Sequence, residues 1–435
     1  PISGNKKTRD KIILRELAFK QNDSIQLMQI PFLLERSEQN IFNSHLFIYD
    51  SIKPSINHDS KSLDVSIKVK ERWYIWPYPY IDYLDRDFNN WIVNKDVKRL
   101  APGINVQFDN FSGNKDVLTL QLQLGYANEY GFNYQLPYLN KKQTFGSYIQ
   151  YFYSEYNKLH YKTENNKQLF LSSDSTHLKI DNSGALGCFY RPRLYIYHSL
   201  GYSYNIVNVS NAVTSNNENF FNEGKDKIKY STLTYRFNFD NRDNKIYPLK
   251  GIYFDVSLAK IGLDLSRQSP VDNTISYLTF KTYFPISGKL NFATHWRYRN
   301  IKIAESQPFY FNRALGYSYF IRGYEKSIID GQNYYFTRNS FRLQLIKPKF
   351  HEVDAIKKIQ PFSTIPFYSY INLFFDGGYV KEDFYKTNNN LNNSIQYGYG
   401  IGIDFISYYD LVFRVELSRN KLNENGIFIH FTSGF

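Results

Sequence analysis

The sequence predicts an all-β transmembrane fold: a sixteen-stranded antiparallel outer-membrane β-barrel preceded by a small α+β domain of order β-α-α-β-β. Three observations predict it. Apolar and polar residues alternate with period two nearly everywhere from Trp73 onward. The 435-residue chain carries 40 Tyr and 36 Phe, so that aromatics reach 18%, yet its mean hydropathy is −0.50. That is too aromatic for an average soluble protein and too polar for a helical membrane protein. No run of 18 or more apolar residues occurs, so no transmembrane helix is available.

Residues 1–72 differ from the rest. A short strand is expected around Pro1 to Gly4. Thr8 is placed to cap a first helix, and Asp10 suits its first turn. Ile13, Leu14 and Leu17 follow at helical spacing. A second helix is expected from Pro31, a good first-turn residue, to about Phe42. Leu46 to Ile52 then has strand character. In LDVSIKVK, Leu63, Val65, Ile67 and Val69 share one face, and Asp64, Ser66, Lys68 and Lys70 share the other. That is the pattern of a half-buried strand.

Residues 73–435 form the barrel in this prediction. In VLTLQLQLGY, Leu118, Leu120, Leu122 and Leu124 alternate with Thr119, Gln121 and Gln123. In QYGYGIGIDF, Tyr397, Tyr399, Ile401 and Ile403 alternate with Gly398, Gly400, Gly402 and Asp404. A soluble sandwich turns such an apolar face inward, whereas a transmembrane barrel turns it to lipid. Strands of ten residues or more and aromatics at strand ends favour the second. Sixteen strands are expected near 74–86, 98–111, 116–126, 129–138, 144–157, 174–190, 192–208, 227–241, 250–264, 271–284, 289–302, 334–347, 368–381, 394–407, 410–419 and 426–435. Short connections such as 112–115 and 407–410 alternate with long ones such as 209–226 and 303–333, as periplasmic turns alternate with extracellular loops. The stretch 348–367 breaks that alternation and carries a candidate short helix from Ala355 to Ile359.

The order of these parts resembles the BamA/TamA superfamily of outer-membrane assembly and translocation proteins. Residues 1–72 resemble a POTRA domain, with GNKKTRDKIILREL (Gly4 to Leu17) similar to its start and VKER (Val69 to Arg72) to its end. DNRDNKIYPLKG resembles the family's turn between strands eight and nine and supplies Asp240, Arg242, Asp243, Asn244, Pro248 and Gly251. Asp and Asn form turns, Pro248 presets φ, and Gly251 permits tight packing, so a structural role is expected. Ile321, Arg322, Gly323 and Tyr324 resemble the signature of the long loop between strands eleven and twelve. The resemblance implies that this loop, 303–333, folds into the lumen. It also implies that its arginine contacts acidic positions on strands twelve and thirteen. Those positions hold Gln344, where an acid is usual, and Asp376. A buried guanidinium needs a hydrogen-bonded anion. The alternative for an isolated RGY is a solvated loop arginine.

Closure is expected to join the first strand to the last, near Phe431, Gly434 and Phe435. The first strand carries Pro77 and Pro79 two residues apart, so both missing N–H donors fall on one side. If that side faces the last strand, the seam is weak and could template an incoming strand. If it faces the second strand, the prolines merely bend the chain near the domain junction.

The resemblance implies a factor that inserts or exports polypeptides by β-augmentation at this seam. A pore or lipid-transport barrel is the alternative. Unfolded outer-membrane or secreted proteins are the expected substrates, with accessory periplasmic or lipoprotein subunits as further partners. No GxxxxGK[ST], HExxH or GxSxG occurs, so no enzyme, cofactor or metal is expected. The net charge of +13 is dispersed, with no nucleic-acid motif, and suits lipid headgroups or lipopolysaccharide. The single cysteine, Cys188, rules out an intrachain disulfide. The start at Pro1 without a basic-then-apolar leader fits a chain whose signal peptide has been removed.

Overall fold

A computed structural model describes residues 1–57, 62–85, 88–140, 142–263, 271–303, 307–352, 364–385, 389–407 and 411–432. The N-terminal module consists of β1 (Ile2–Ser3), α1 (Asp10–Glu16), a 3-10 turn (Leu27–Gln29), α2 (Ile30–Phe42), β2 (Phe47–Asn57) and β3 (Ser62–Glu71). Its sheet order is β1-β3-β2. The apolar stripes of both helices and of β3 meet in one core of Ile12, Ile13, Ile41, Ile67 and Val69. Pro31 lies in the first turn of α2. Thr8 departs from expectation, because the residue capping α1 is Arg9. The Thr8 hydroxyl instead bonds the Tyr74 hydroxyl at 2.9 Å and the Asn110 carboxamide at 2.8 Å. These tertiary partners take the oxygen that a cap would use.

Sixteen of the remaining strands form one antiparallel sheet in chain order. It runs through β4 (Ile75–Tyr83), β5 (Leu100–Asp109), β6 (Val117–Gln123), β7 (Ala127–Leu136) and β8 (Phe145–Tyr156). After a separate hairpin of β9 (Lys158–Glu164) and β10 (Lys167–Ser172), it continues through β11 (Lys179–Arg193), β12 (Ile196–Val209), β13 (Lys227–Asp240) and β14 (Gly251–Ile261). Then come β15 (Asn273–Pro285), β16 (Leu290–Ile303), β17 (Asn333–Glu352), β18 (Thr364–Lys381), β19 (Gln396–Ile406), β20 (Val412–Asn420) and β21 (Asn425–Thr432). The hairpin β9–β10 and two helices, α3 (Phe88–Asn94) and α4 (Asn211–Asn216), fall inside stretches expected to be loops or strand ends. The expected helix from Ala355 to Ile359, together with Gly434 and Phe435, lies outside the described residues.

Burial is inverted relative to a water-soluble protein. On β19, Tyr399 and Ile401 are 44% and 43% exposed, while Asp404 is fully buried. On β18, Leu373 and Phe375 are half exposed, whereas Asn372 and Asp376 are fully buried. Charged residues are rarely buried unless paired, and a broad apolar exterior is unstable in water. The arrangement fits a curled sheet with lipid outside and a polar inner face. Among the described residues, no helix is long and apolar enough to cross a membrane.

The module docks on the near-end turns of the sheet. Glu16 of α1 accepts from Arg191 at 3.1 Å and lies 3.5 Å from Lys115. Burial favours its neutral form, but Lys115 and Arg191 outweigh this and hold its pKa at about 2. At the far end, Val213, Phe220, Phe221 and Phe309 pack in one apolar cluster with Val207 and Ile228. The loop after β16 joins this cap: the Phe309 N–H donates to the Asn219 carbonyl, and the Ile328 N–H to the Asn166 carbonyl.

Candidate functional site

The segment after β16 turns back from the far end onto the inner face of β17–β20. Ile321 and Tyr324 fix it there, each about fully buried among Leu315, Ile329, Phe336 and Val380. Between them Arg322 points at the wall. Its Nε donates to Asp376 Oδ2 at 2.8 Å, and its Nη2 donates to Asp376 Oδ1 at 2.6 Å. Its Nη1 donates to Glu416 Oε1 at 3.1 Å, and its Nη2 also reaches Ser340 Oγ at 3.2 Å. The guanidinium stacks 3.9 Å from the Phe374 ring centroid. Bidentate pairing, a second carboxylate and an aromatic face together satisfy a charge that burial would otherwise penalise. The approach depends on Gly398, where an added Cβ would lie 1.9 Å from the Arg322 carbonyl oxygen.

Gln344 is not part of this contact. Its carboxamide bonds the Tyr370 hydroxyl at 3.3 Å. The register pairs Gln344 with Tyr370, whereas Asp376 lies opposite Arg338, three inward positions away on β17. Arg322 meets the wall at the height of Ser340, and its second acid comes from β20. Gly323 has a left-handed φ of 97°, and its carbonyl accepts from Asn420 at 2.9 Å. The Tyr324 hydroxyl donates to Gln396 at 2.8 Å.

A second insertion enters from the near end. In the turn 241–250, Arg242 forms a two-pronged pair with Asp240 at 2.8 and 2.9 Å. Asp243 Oδ1 accepts from the N–H groups of Asn244, Leu249 and Lys250. Asn244 accepts from those of Ile246 and Tyr247. Gly251 has φ 114°, and a Cβ there would lie 2.7 Å from Arg242 Cα. These bonds hold the turn in shape, and the turn also delivers Tyr247 to the inner wall. The Tyr247 hydroxyl donates to Asp404 Oδ2 at 2.7 Å, and Arg342 donates to the Pro248 carbonyl at 3.0 Å. Asp404 in turn pairs with Arg414, whose Nε is 3.8 Å from Glu416. A continuous polar spine therefore joins Tyr247 to Arg322.

The seam shows the side on which the prolines face. The Leu84 N–H donates to Arg99, and the Asp109 N–H to Tyr74, so even-numbered residues of β4 bond β5. Bonding direction alternates along an antiparallel strand. Pro77 and Pro79 therefore present their missing donors to the free edge. At the other end of the sheet, Ile429 turns its polar backbone away from β20. Asn89 of α3 donates to the Ile429 carbonyl and accepts from its N–H, both at 2.9 Å. Among the described residues no ladder joins β4 to β21. Along the described part of this edge, the Ile429 peptide groups are met by the Asn89 side chain. Phe431 is on this edge and is 72% exposed.

Glu416, Asn89 and Tyr247 were not distinguished in the sequence. Arg414 and Glu416 shared the inward phase of β20, which was the available signal for the first.

A model of the Omp85 superfamily domain matches residues 110–408. Comparison with curated proteins finds no match. Among solved structures, BamA from Haemophilus ducreyi lacking POTRA domains 1–3 is similar with a TM-score of 0.58 at 14% identity, covering 99% of this chain and 82% of that one. CdiB from Escherichia coli is similar with a TM-score of 0.61 at 10% identity, covering 99% and 74%. CdiB from Acinetobacter baumannii gives 0.53 at 14%, covering 99% and 72%. At these identities the likeness concerns the fold alone. With a domain match over most of its length, the chain belongs to the Omp85 superfamily.

Proposed function

We propose that this chain is an outer-membrane assembly or translocation factor that inserts or exports polypeptides by strand pairing at the seam between β4 and β21. One observation carries the reading. Among the described residues both edges lack a strand partner, one carries Pro77 and Pro79, and the other is engaged by the Asn89 carboxamide. Unpaired backbone groups facing lipid each cost several kcal/mol, so such an edge has a strong tendency to capture an extended segment. An incoming strand that displaces Asn89 would make the same pair of bonds to Ile429 and extend them along β21. The N-terminal module, in this reading, is a periplasmic POTRA domain that passes extended substrates to the edge. Unfolded outer-membrane or secreted proteins are the substrates, and accessory periplasmic or lipoprotein subunits assist. Dispersed positive charge meets lipid or lipopolysaccharide headgroups. The inner anchors at Arg322 and Tyr247 support a filled interior over a constitutively open pore.

The test uses the protein in liposomes in a Cys188→Ser background. One cysteine replaces Pro79, and a second is scanned from Ile427 to Phe431. Insertion of an unfolded outer-membrane protein is timed with the seam reduced and oxidised. Acceleration that disappears on oxidation supports strand pairing. Equal rates in both states refute it and favour a pore or lipid-transport barrel.

A further inference from the structure

Beside the Arg322 anchor lies a second group of side chains that the seam reading does not use. Glu325 comes from the inserted loop, Glu416 from β20 and His430 from β21. One ligand atom from each falls within 4.8 Å of the other two. His430 Nε2 is 3.5 Å from Glu416 Oε2 and 3.7 Å from Glu325 Oε1. Both separations are long for a hydrogen bond. Among the described residues, Glu416 Oε2 and His430 Nε2 have no hydrogen-bond partner, although the Glu416 side chain is only 1% exposed. A buried carboxylate oxygen 3.5 Å from an imidazole nitrogen, too far for a good hydrogen bond between them, points to a ligand held between them.

We propose that Glu325, Glu416 and His430 bind a first-row divalent cation, for which Zn²⁺ is the best fit. Zinc bound to imidazole and carboxylate at about 2.0–2.2 Å sets its tetrahedral ligands about 3.3 Å apart. The 3.5 and 3.7 Å separations need to contract by only a few tenths of an ångström. One nitrogen and two carboxylates are a donor set that zinc accepts, with water in the fourth position.

Each ligand is oriented from behind. Glu325 Oε2 accepts from the Gly323 N–H at 2.8 Å, which directs Oε1 inward. Glu416 Oε1 is held by Arg322, which leaves Oε2 for the cation. The His430 ring stacks on Phe320 at 5.5 Å. Outer partners of this kind fix ligand geometry in metal sites. The bound ion would tie the last strand of the sheet to the inserted loop.

The experiment uses the full chain in detergent micelles, stripped with a chelator and titrated with Co²⁺ as a spectroscopic stand-in, followed by Zn²⁺ competition. The expected result is one equivalent of Co²⁺ with the visible absorption of a low-coordinate site, displaced by Zn²⁺. His430→Gln and Glu325→Gln should each weaken binding at least about a hundredfold. Heat-modifiable gel mobility shows that each variant is folded, and the loop variant stands in if the strand variant is not. Failure to bind Co²⁺ below about 1 mM, the weak end of protein metal affinities, overturns the proposal. Binding that both folded variants retain overturns it equally.

Discussion

The carboxamide of Asn89 and the peptide groups of Ile429 bond each other as two residues of neighbouring strands would, donor to acceptor and acceptor to donor, at 2.9 Å each. A seven-residue helix thereby holds the place of a strand at the open side of the sheet. Asn90, the next residue, donates to the Glu325 carbonyl at 2.8 Å, so the same helix also touches the inserted loop.

Asn89→Ala removes both bonds. Each is worth about 0.5–1.5 kcal/mol net, and more where lipid replaces water. Hydrogen exchange at the Ile429 amide should quicken about tenfold or more, a change of 1.4 kcal/mol. Asn89→Asp keeps the acceptor for the N–H and should give an intermediate rate. Unchanged exchange in the alanine variant would mean that the seam is held elsewhere.

Arg322→Ala leaves Asp376 and Glu416 buried without their main cation. Breaking such a pair costs about 3–5 kcal/mol. Arg322→Lys should recover little, because one ammonium cannot span both oxygens of Asp376 and also reach Glu416. Denaturant midpoints of the reconstituted protein measure the loss. Bilayer conductance should rise in parallel as the inserted loop releases. A lysine variant indistinguishable from the parent would contradict the two-pronged contact.

Gly398→Ala tests the same contact with every charge kept. The added methyl would sit 1.9 Å from the Arg322 carbonyl, so the loop must shift. Overpacking of this kind costs about 1–3 kcal/mol. Stability and conductance should change in the direction of Arg322→Ala. Full tolerance of alanine would show that the loop stands further from β19.

Glu16 makes module docking sensitive to acid. Its folded pKa, about 2, is depressed from an ordinary 4.5. A depressed carboxylate contributes its stability fully above the ordinary value and loses it as pH falls through the folded one. Spin labels at Met28 and Leu139, both exposed, report the distance between module and sheet. The distribution should hold from pH 7 to about 4.5, then broaden toward pH 2. Glu16→Gln should broaden it already at pH 7. A parent protein that broadens above pH 5 would place the docking charge on another group.

The strands of the sheet were legible because each carries its own signal. In Gln396 to Phe405 every second residue faces lipid, and that period needs no knowledge of neighbours. The helices and strands of residues 1–71 were legible for the same reason. Arg322 was picked out by the resemblance of its loop motif, and Asp376 by the acidic position that the same resemblance implies on strand thirteen. What no single strand encodes is which inward residue stands beside which. That depends on the register of sixteen strands, on the curl of the sheet and on the path of the inserted segments. Hence the resemblance pointed to Gln344, while the fold brought Glu416 from β20 to Arg322. Hence also Tyr247 looked like part of a turn until the fold carried it to Asp404. The seam divides in the same way. That Pro77 and Pro79 share a side follows from spacing alone, but which side requires knowing where Leu84 and Tyr74 bond. Alternation is a local response to two solvents, whereas contacts across the interior are closed by long loops whose ends carry no mark of where they meet.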